Sequence, residues 1–487
     1  MAGPRTMMPP PSAAEFVAGL VDAGSFVGWH TPAEPAWTDA SYAADLRRAR
    51  DRSGTDESIM SGRATVNGVP VALIVGEFGF LGGSIGQAAA RRIVAGLRRA
   101  TRERLPVLAA PCSGGIRMQE GTPAFVRLVD ITRAVLAHQA AGLPYLVYLR
   151  NPTTGGVFAS WASLGHVTWA EPGGLVGFLG PRVVEALRGS ALRDGVQRAE
   201  NLVAAGVIDA VVATGELPTR VAALLRALRP TTGRLPTRVA EPRASRSSDW
   251  ESVLLSRHPD RPGVRELLDQ AGENVIALSG TGAGERSDAI LVALASFEGG
   301  SCVVIGQDRR GQARERIGPA ALRCARRGLR LAQQLGLPVV AIVDTPGAEL
   351  SPQAEEGALA GEIARCVADF LSLTVPSVSI LLGEGGGGAA LALLAARRVI
   401  AAEHAWLAPL PPEGAAALAH RDAARAADVA QRQHIGAGEL LARGIVAYVV
   451  AEPAPAHLDP DTFLWNIVRA CAHFLHQQDA APVADAG

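Results

Sequence analysis

A chain of 487 residues that is 48% hydrophobic but only 5% aromatic is too long for one ordinary core. It builds its interiors from Ala, Val, Leu and Ile, which favours helix-rich α/β packing in more than one domain. Its 47 acidic residues balance 47 basic ones, all of them arginine, which excludes steering toward nucleic acid or a membrane surface, as well as biotin carried on a lysine of this chain, a Schiff base and a Walker-type lysine on ATP phosphates.

In chain order, Met1 to Ser12 is Pro-rich and has no apolar signal-peptide region, so an unsecreted, cytoplasmic protein is expected. Residues 1–53 read as a loosely structured lead-in with one short helix over Tyr42 to Arg52. From residue 54 the pattern is helix, buried strand, glycine turn, helix, strand, glycine turn, helix, the alternation of a largely parallel sheet flanked by helices. A basic amphipathic segment, Ala90 to Arg104, runs into Leu-Pro-Val-Leu-Ala-Ala at 105–110 and then Ser113-Gly-Gly-Ile-Arg117.

The same order returns later. Cys324 to Leu335 runs into Leu-Pro-Val-Val-Ala-Ile-Val at 337–343 and then Asp344-Thr-Pro-Gly-Ala348; Pro106 and Pro338 are 232 residues apart, and Gly155-Gly156 and Gly387-Gly388 keep that offset. Two copies of one fold are expected, a first domain over 54–228 and a second over 249–487. The Pro-, Thr-, Ser- and Arg-rich stretch 229–248 has no apolar periodicity and reads as a linker. The five cysteines are scattered without a C-x-x-C pair, so neither a disulfide framework nor a zinc ribbon, and no metal, is expected. His166, His404 and His434 stand alone without ligand spacing.

Gly79-Phe-Leu-Gly-Gly-Ser-Ile-Gly86, Ser113-Gly-Gly-Ile-Arg-Met-Gln-Glu-Gly121, Asn151-Pro-Thr-Thr-Gly-Gly-Val-Phe-Ala-Ser160 and Ala170-Glu-Pro-Gly-Gly-Leu-Val-Gly-Phe-Leu-Gly-Pro-Arg182 together resemble the beta half of bacterial acetyl-CoA carboxylase carboxyltransferase. Asp344-Thr-Pro-Gly-Ala348, Ala354-Glu-Glu-Gly357, Gly383-Glu-Gly-Gly-Gly-Gly-Ala-Ala-Leu391 and Pro412-Glu-Gly414 resemble its alpha half. The resemblance covers roughly residues 56 to 455. It implies two tandem crotonase-like (ClpP/crotonase) ββα superhelix domains of α/β class, and transfer of CO2 from carboxybiotin to the α-carbon of an acyl-CoA. It also implies a separate biotin carrier protein and biotin carboxylase, and a homodimer or larger homo-oligomer in which halves of different chains face each other.

An enolate needs preorganised donors rather than bulky side chains, and backbone amides at a strand-to-helix turn supply them. Amides of Gly114, Gly115 and Ile116 are expected to hold the acyl-CoA oxygen. By the resemblance and the offset, Gly387, Gly388 and Ala389 are expected to hold the ureido oxygen of biotin, whose anion takes the α-proton. Ser113, Gly155 and Gly156 are expected to line the CoA side, with Thr153 or Thr154 as an alternative helix cap beside them. Arg117, Arg182 and Arg327 are candidate ligands for CoA phosphates. Glu120, Glu171, Glu384 and Glu413 are expected to brace glycine loops by accepting backbone N–H groups, Asp344 to cap the turn after its strand, and Cys112 to be a small buried hydrophobe.

Three departures stand out. The family's zinc ribbon is absent, Gly387 replaces a usual Ser, and Pro412 replaces another. The competing expectation is a decarboxylase or hydrolase of an acyl-CoA or acyl-carrier thioester that uses the first oxyanion hole without biotin, in specialised metabolism rather than fatty acid biosynthesis. A catalytically silent partner is a third, opposed by the intact Ser113-Gly-Gly-Ile-Arg117.

Overall fold

The computed structural model describes residues 10–29, 39–228, 247–297 and 300–479. The chain divides into two compact units between Arg226 and Ala227. The expected linker lies outside the described residues except for Ser247 and Ser248.

In the first unit the sheet is built from β1 (Val27–Gly28), β2 (Ile59–Val66), β3 (Val69–Gly76), β4 (Val107–Ala110), β5 (Tyr145–Leu149), β6 (Val167–Ala170) and β7 (Ala210–Val211), paired in that order. The first two pairings are antiparallel and the rest parallel. The central parallel strands β4, β5 and β6 are buried along their length and, Thr168 apart, have no polar side chain beyond tyrosine hydroxyls. Two helices, α1 (Gln87–Arg102) and α2 (Arg127–Ala140), are the crossovers. On α1 the buried positions Ala89, Ile93, Leu97 and Ala100 recur at helical spacing, and they join Ile131 and Val135 of α2 in one core with the strands.

The second unit repeats this plan. Its strands are β8 (Glu273–Leu278), β9 (Ile290–Phe297), β10 (Gly300–Gln307), β11 (Val339–Thr345), β12 (Ser377–Gly386), β13 (Arg398–Ala402) and β14 (Tyr448–Val450), again in sequential order; Trp406–Ala408 also pairs with the end of β12. The helices α3 (Pro319–Leu335) and α4 (Leu359–Leu371) cross over, and α5 (Gly387–Leu394) starts directly from β12. Helices α1 and α3, strands β4 and β11, helices α2 and α4, and strands β5 and β12 all begin 232 residues apart. The duplication read from the sequence is therefore a duplication of structure, element by element.

The lead-in is better organised than expected. Ser12 and Glu15 form a capping box on helix Ala13–Leu20. The Ala13 amide donates to Glu77 at 2.6 Å, and the Phe16 ring stacks on Tyr148 with centroids 5.8 Å apart. The second helix runs over Ala40–Ser53, with Asp39 as its N-cap.

Candidate active site

In the first unit three loops meet at the ends of β3, β4 and β5. The Gly114 amide donates to Gly82 O (2.9 Å), the Ser113 amide to Pro152 O (2.7 Å), and the Thr154 amide to Ser113 O (2.9 Å). The buried Ser113 hydroxyl accepts the Gly115 amide at 3.0 Å. Gly115 has φ of +121° and Gly155 +71°, and the two turns touch backbone to backbone: a Cβ on Gly155 would lie 2.8 Å from Gly115 Cα. Glycine is required there by both conformation and space.

This geometry revises the expected donor set. The Gly114 and Gly115 amides are already engaged, while Ile116 is bridged to Ile85 only through its neighbours: Ile85 N–H donates to Gly115 O and Arg117 N–H to Ile85 O. The Ile116 amide therefore has no acceptor among the described residues. Nor does the turn open a long helix; it leads into the 3-10 turn Met118–Glu120 and the five-residue helix Gly121–Phe125. The amide nitrogen of the other loop that comes near this turn belongs to Gly156, second residue of the 3-10 turn Gly155–Val157. Its nitrogen would lie 3.8 Å from a Cβ on Gly115. Thr153 and Thr154 cap no helix: their hydroxyls donate to carbonyls of Pro111, Arg150 and Ser113.

Two arginines depart from the expected role. Arg117 is 1% exposed and pairs with Glu57 and Glu120, while Nη2 also donates to Ser84 O at 2.8 Å. Burial opposes its charge, but the Glu57 carboxylate outweighs burial and raises its pKa; no donor is left for a phosphate. Arg327 gives Nη1 to the carbonyls of Ser279 (3.0 Å) and Gly280 (3.1 Å), bracing that loop. Arg182 stands in helix Pro181–Arg188; its side chain lies outside the described residues. Cys112 is buried as expected, and burial pushes its thiol up to about 12, far from a thiolate at neutral pH.

The second unit holds the same pair of turns. Thr345 stands where Ser113 does, and its hydroxyl accepts the Gly347 amide at 3.2 Å. Ile317 bridges Ala348 as Ile85 bridges Ile116, and Glu349 N–H donates to Ile317 O at 3.0 Å. The Ala348 amide is thus the counterpart of Ile116, with no acceptor among the described residues. Opposite it Gly387, at φ +61°, and Gly388 open α5, whose first amides have no partner within the helix. A Cβ on Gly388 would meet Ile363 of α4 at 2.8 Å, just as one on Gly156 would meet Leu128 of α2 at 2.8 Å. From the sequence, Thr345, Gly347 and Ala348 were named only within the Asp344-Thr-Pro-Gly-Ala348 motif and not as site residues, although the 232-residue offset places them on Ser113, Gly115 and Ile116.

A family model for the carboxyl transferase domain matches residues 13–484. The chain belongs to that family. This carboxyl transferase is 50% identical over 467 residues to the probable biotin-dependent acyl-coenzyme A carboxylase beta3 subunit of Mycobacterium tuberculosis (strain ATCC 25618 / H37Rv), spanning 96% of the chain and 94% of that relative. It is 37% identical over 473 residues to the acetyl-coenzyme A carboxylase carboxyl transferase subunits beta/alpha of Salinispora arenicola (strain CNS-205), spanning 92% and 84%. Among solved structures, the transcarboxylase 12S hexamer with methylmalonyl-coenzyme A and methylmalonic acid bound matches with a TM-score of 0.78 at 21% identity, over 98% of this chain and 92% of that one. The two tandem crotonase-like units expected from the resemblance are the fold of this enzyme.

Behind the second turn the carboxyl transferase carries a polar network. Gln307, fully buried at the end of β10, accepts the Asp344 amide at 2.9 Å and donates to the buried Ala389 carbonyl at 2.7 Å. Gln312 donates to Asp344 O (2.9 Å) and accepts the Thr345 hydroxyl (2.6 Å). The Asp344 carboxylate accepts the Glu384 amide at 3.1 Å instead of capping its own following turn, and burial raises its pKa against the pull of Arg309. Glu120 and Glu171 do brace loops, accepting the amides of Gln87 (2.7 Å) and Asn151 (2.9 Å). Glu384 and Glu413 do not; both hold Arg257. Burial leaves the Glu384 pKa raised, whereas the hydrogen bond from Arg257 lowers that of Glu413. Among the described residues no group of three His, Cys, Asp or Glu is placed to hold a metal ion, and no helix is long and apolar enough to cross a membrane.

Proposed function

We propose that this carboxyl transferase takes CO2 from carboxybiotin, presented by a separate carrier protein that a biotin carboxylase has charged, and adds it to the α-carbon of an acyl-CoA. The observation that carries this reading is the matched pair of amides in each unit, Ile116 with Gly156 and Ala348 with Gly388, each pair lacking an acceptor of its own. Such donors stabilise an oxygen on which negative charge develops. The thioester oxygen of the enolate takes the first pair and the biotin ureido oxygen the second. Biotin, when bound, would supply the CO2 and take up the α-proton, and the part played by this chain's amides would be to hold the two oxygens on which charge develops while the CO2 passes to the α-carbon. No protein base is needed, and the titratable groups around the first turn, Cys112, Arg117 and Glu120, are all otherwise committed.

The enzyme works as a homo-oligomer in the cytoplasm. Five buried free cysteines suit a reducing compartment. Exposed Met118, Phe125, Val126 and Val129 beside the first turn, and Leu350 and Leu418 in the second unit, suit burial against another copy. The test is to incubate the enzyme with malonyl-CoA or methylmalonyl-CoA, with and without free biotin. CO2 loss is expected only with biotin; equal loss without it replaces this reading with the biotin-independent decarboxylase.

A further inference from the structure

Behind the two turns, one duplicated position holds different side chains. In the second unit it is Gln312, whose amide donates to Asp344 O and accepts the Thr345 hydroxyl; 232 residues earlier stands Phe80, which can do neither. The buried Phe80 packs instead with Tyr42, Leu46 and Ala49 of the lead-in helix Ala40–Ser53. We propose that this helix supplies the missing brace, and that Tyr42 is a positioning residue for the Ile116 and Gly156 amides. This rests on the acyl-CoA reading above and makes a segment outside the duplicated fold part of what places that substrate's oxygen.

Two routes run from the helix to the turn. The polar one starts at the buried Tyr42 hydroxyl, which donates to Glu120 Oε1 at 2.5 Å and accepts from Arg117 Nη1 at 3.3 Å. The other Glu120 oxygen accepts the Gln87 amide at 2.7 Å. Arg117, the residue after Ile116, also donates to Glu57 and to Ser84 O. Burial raises the Tyr42 pKa above the ordinary phenol value, so the hydroxyl stays a donor at neutral pH. The second route is apolar. Leu81, Gly82 and Gly83 have φ of +48°, +65° and +65°, a left-handed run that includes a leucine and persists only where its surroundings hold it. Leu81 packs against the helix cluster, and Gly82 O is the acceptor of the Gly114 amide. The helix therefore secures both ends of the segment that carries Ile116, at Gly114 through the Gly82 loop and at Arg117 through Tyr42.

The second unit shows that the fold itself does not demand this arrangement. The positions matching Glu57, Arg117 and Glu120 hold Ala289, Glu349 and Pro352, so the cluster of carboxylates, guanidinium and phenol is not repeated. There the turn is held from behind by Gln307 and Gln312. Loosening Tyr42 is therefore expected to act on one amide pair and spare the other.

The experiment compares wild type with Tyr42→Phe, Glu120→Gln and the double variant. It measures Tm, backbone hydrogen exchange over residues 113–121 and 345–353, and the kinetics of CO2 loss from methylmalonyl-CoA with free biotin. Phenylalanine keeps the ring on Phe80 and loses one hydroxyl. Expected results for Tyr42→Phe are faster exchange over 113–121 with 345–353 unchanged, an unchanged biotin KM, and kcat lowered about tenfold, less than the loss of a donor outright. Because Tyr42 acts through Glu120, the double variant is expected to be no slower than the slower single variant. A lower Tm with kcat and exchange over 113–121 unchanged marks a purely structural residue and overturns the proposal. Additive losses in the double variant, or an equal effect on 345–353, overturn it too. Should Tyr42→Phe not fold, Asp39→Ala removes the cap that accepts the Tyr42 amide and leaves the hydroxyl in place; faster exchange over 113–121 is again expected, and unchanged exchange overturns the proposal. Wild type that exchanges more slowly than Tyr42→Phe over 113–121 yet loses no CO2 with biotin overturns the proposed function and leaves the positioning role standing.

Discussion

At Gly155 the backbone φ is +71° and a Cβ would stand 2.8 Å from Gly115 Cα, so Gly155→Ala must push the two turns of the first unit apart. On the proposed function, the Ile116 and Gly156 amides would then no longer be placed to hold one oxygen together. Turnover is expected to fall on the order of 10²- to 10³-fold, read as kcat in the biotin-dependent assay; near-normal kcat would remove this amide pair from the chemistry. Gln307→Leu tests the second turn. It strips a buried partner from both the Asp344 amide and the Ala389 carbonyl, each worth about 1–3 kcal/mol when left unpaired. A lower Tm and a raised KM for biotin are expected, with the KM for acyl-CoA unchanged. At this scale the sequence reveals which turns matter but not which amides are free. Gly114 is engaged by a carbonyl thirty-two residues earlier, Gly82, and only tertiary contact decides that. The Thr345-Pro346-Gly347-Ala348 turn was matched to Ser113-Gly-Gly-Ile by the offset, yet its amides were not taken as donors, because Gly387 and Gly388 carried the expectation for that unit.

The elements themselves were the most legible part, because α1 and α3 carry their apolar residues at helical spacing and the central strands are unbroken apolar runs. What spacing does not reveal is which polar groups those elements swallow. In a chain whose basic residues are all arginine, nothing in the sequence marks Arg117 as buried against Glu57, sixty residues away. Arg117→Met leaves that carboxylate buried and unpaired, and roughly 3–5 kcal/mol of stability should be lost. Adding Glu57→Gln is expected to recover part of it in thermal unfolding; no recovery would mean the pair is not the cause. His166, at the head of β6, accepts the Tyr145 amide through Nδ1 at 3.0 Å and so ties β6 to β5. Burial, with a smaller push from His138, lowers its pKa from 6.5 to about 4. The unfolded chain then binds this proton first, so the contribution is full above pH 6.5 and is lost as pH falls toward 4, by roughly 3 kcal/mol at most. Urea midpoints should drop across that window in wild type and drop less in His166→Phe.

For the whole molecule, one expectation is quantitative: light scattering should return a mass of at least two 50.5 kDa chains, and a monomer that still transfers carboxylate would refute the homo-oligomer. The repeated plan was legible because proline and glycine positions survive duplication where side-chain identity does not; the lead-in was misjudged because its order comes from docking on β3 and β5, through Glu77 and Tyr148, contacts remote in sequence. The matched turns carry one more implication. Ser113 and Thr345 shape the two turns alike, and peptide N–H groups offer every oxygen the same welcome. On the proposed function, then, neither amide pair by itself would tell a thioester from a urea. Selection between the two guests would then fall to side chains, which differ between the units where the glycines do not: Leu128 packs beside Gly156 and Ile363 beside Gly388. On that reading, re-engineering the acyl chain length should begin in the first unit, beside Leu128, and leave the glycines untouched.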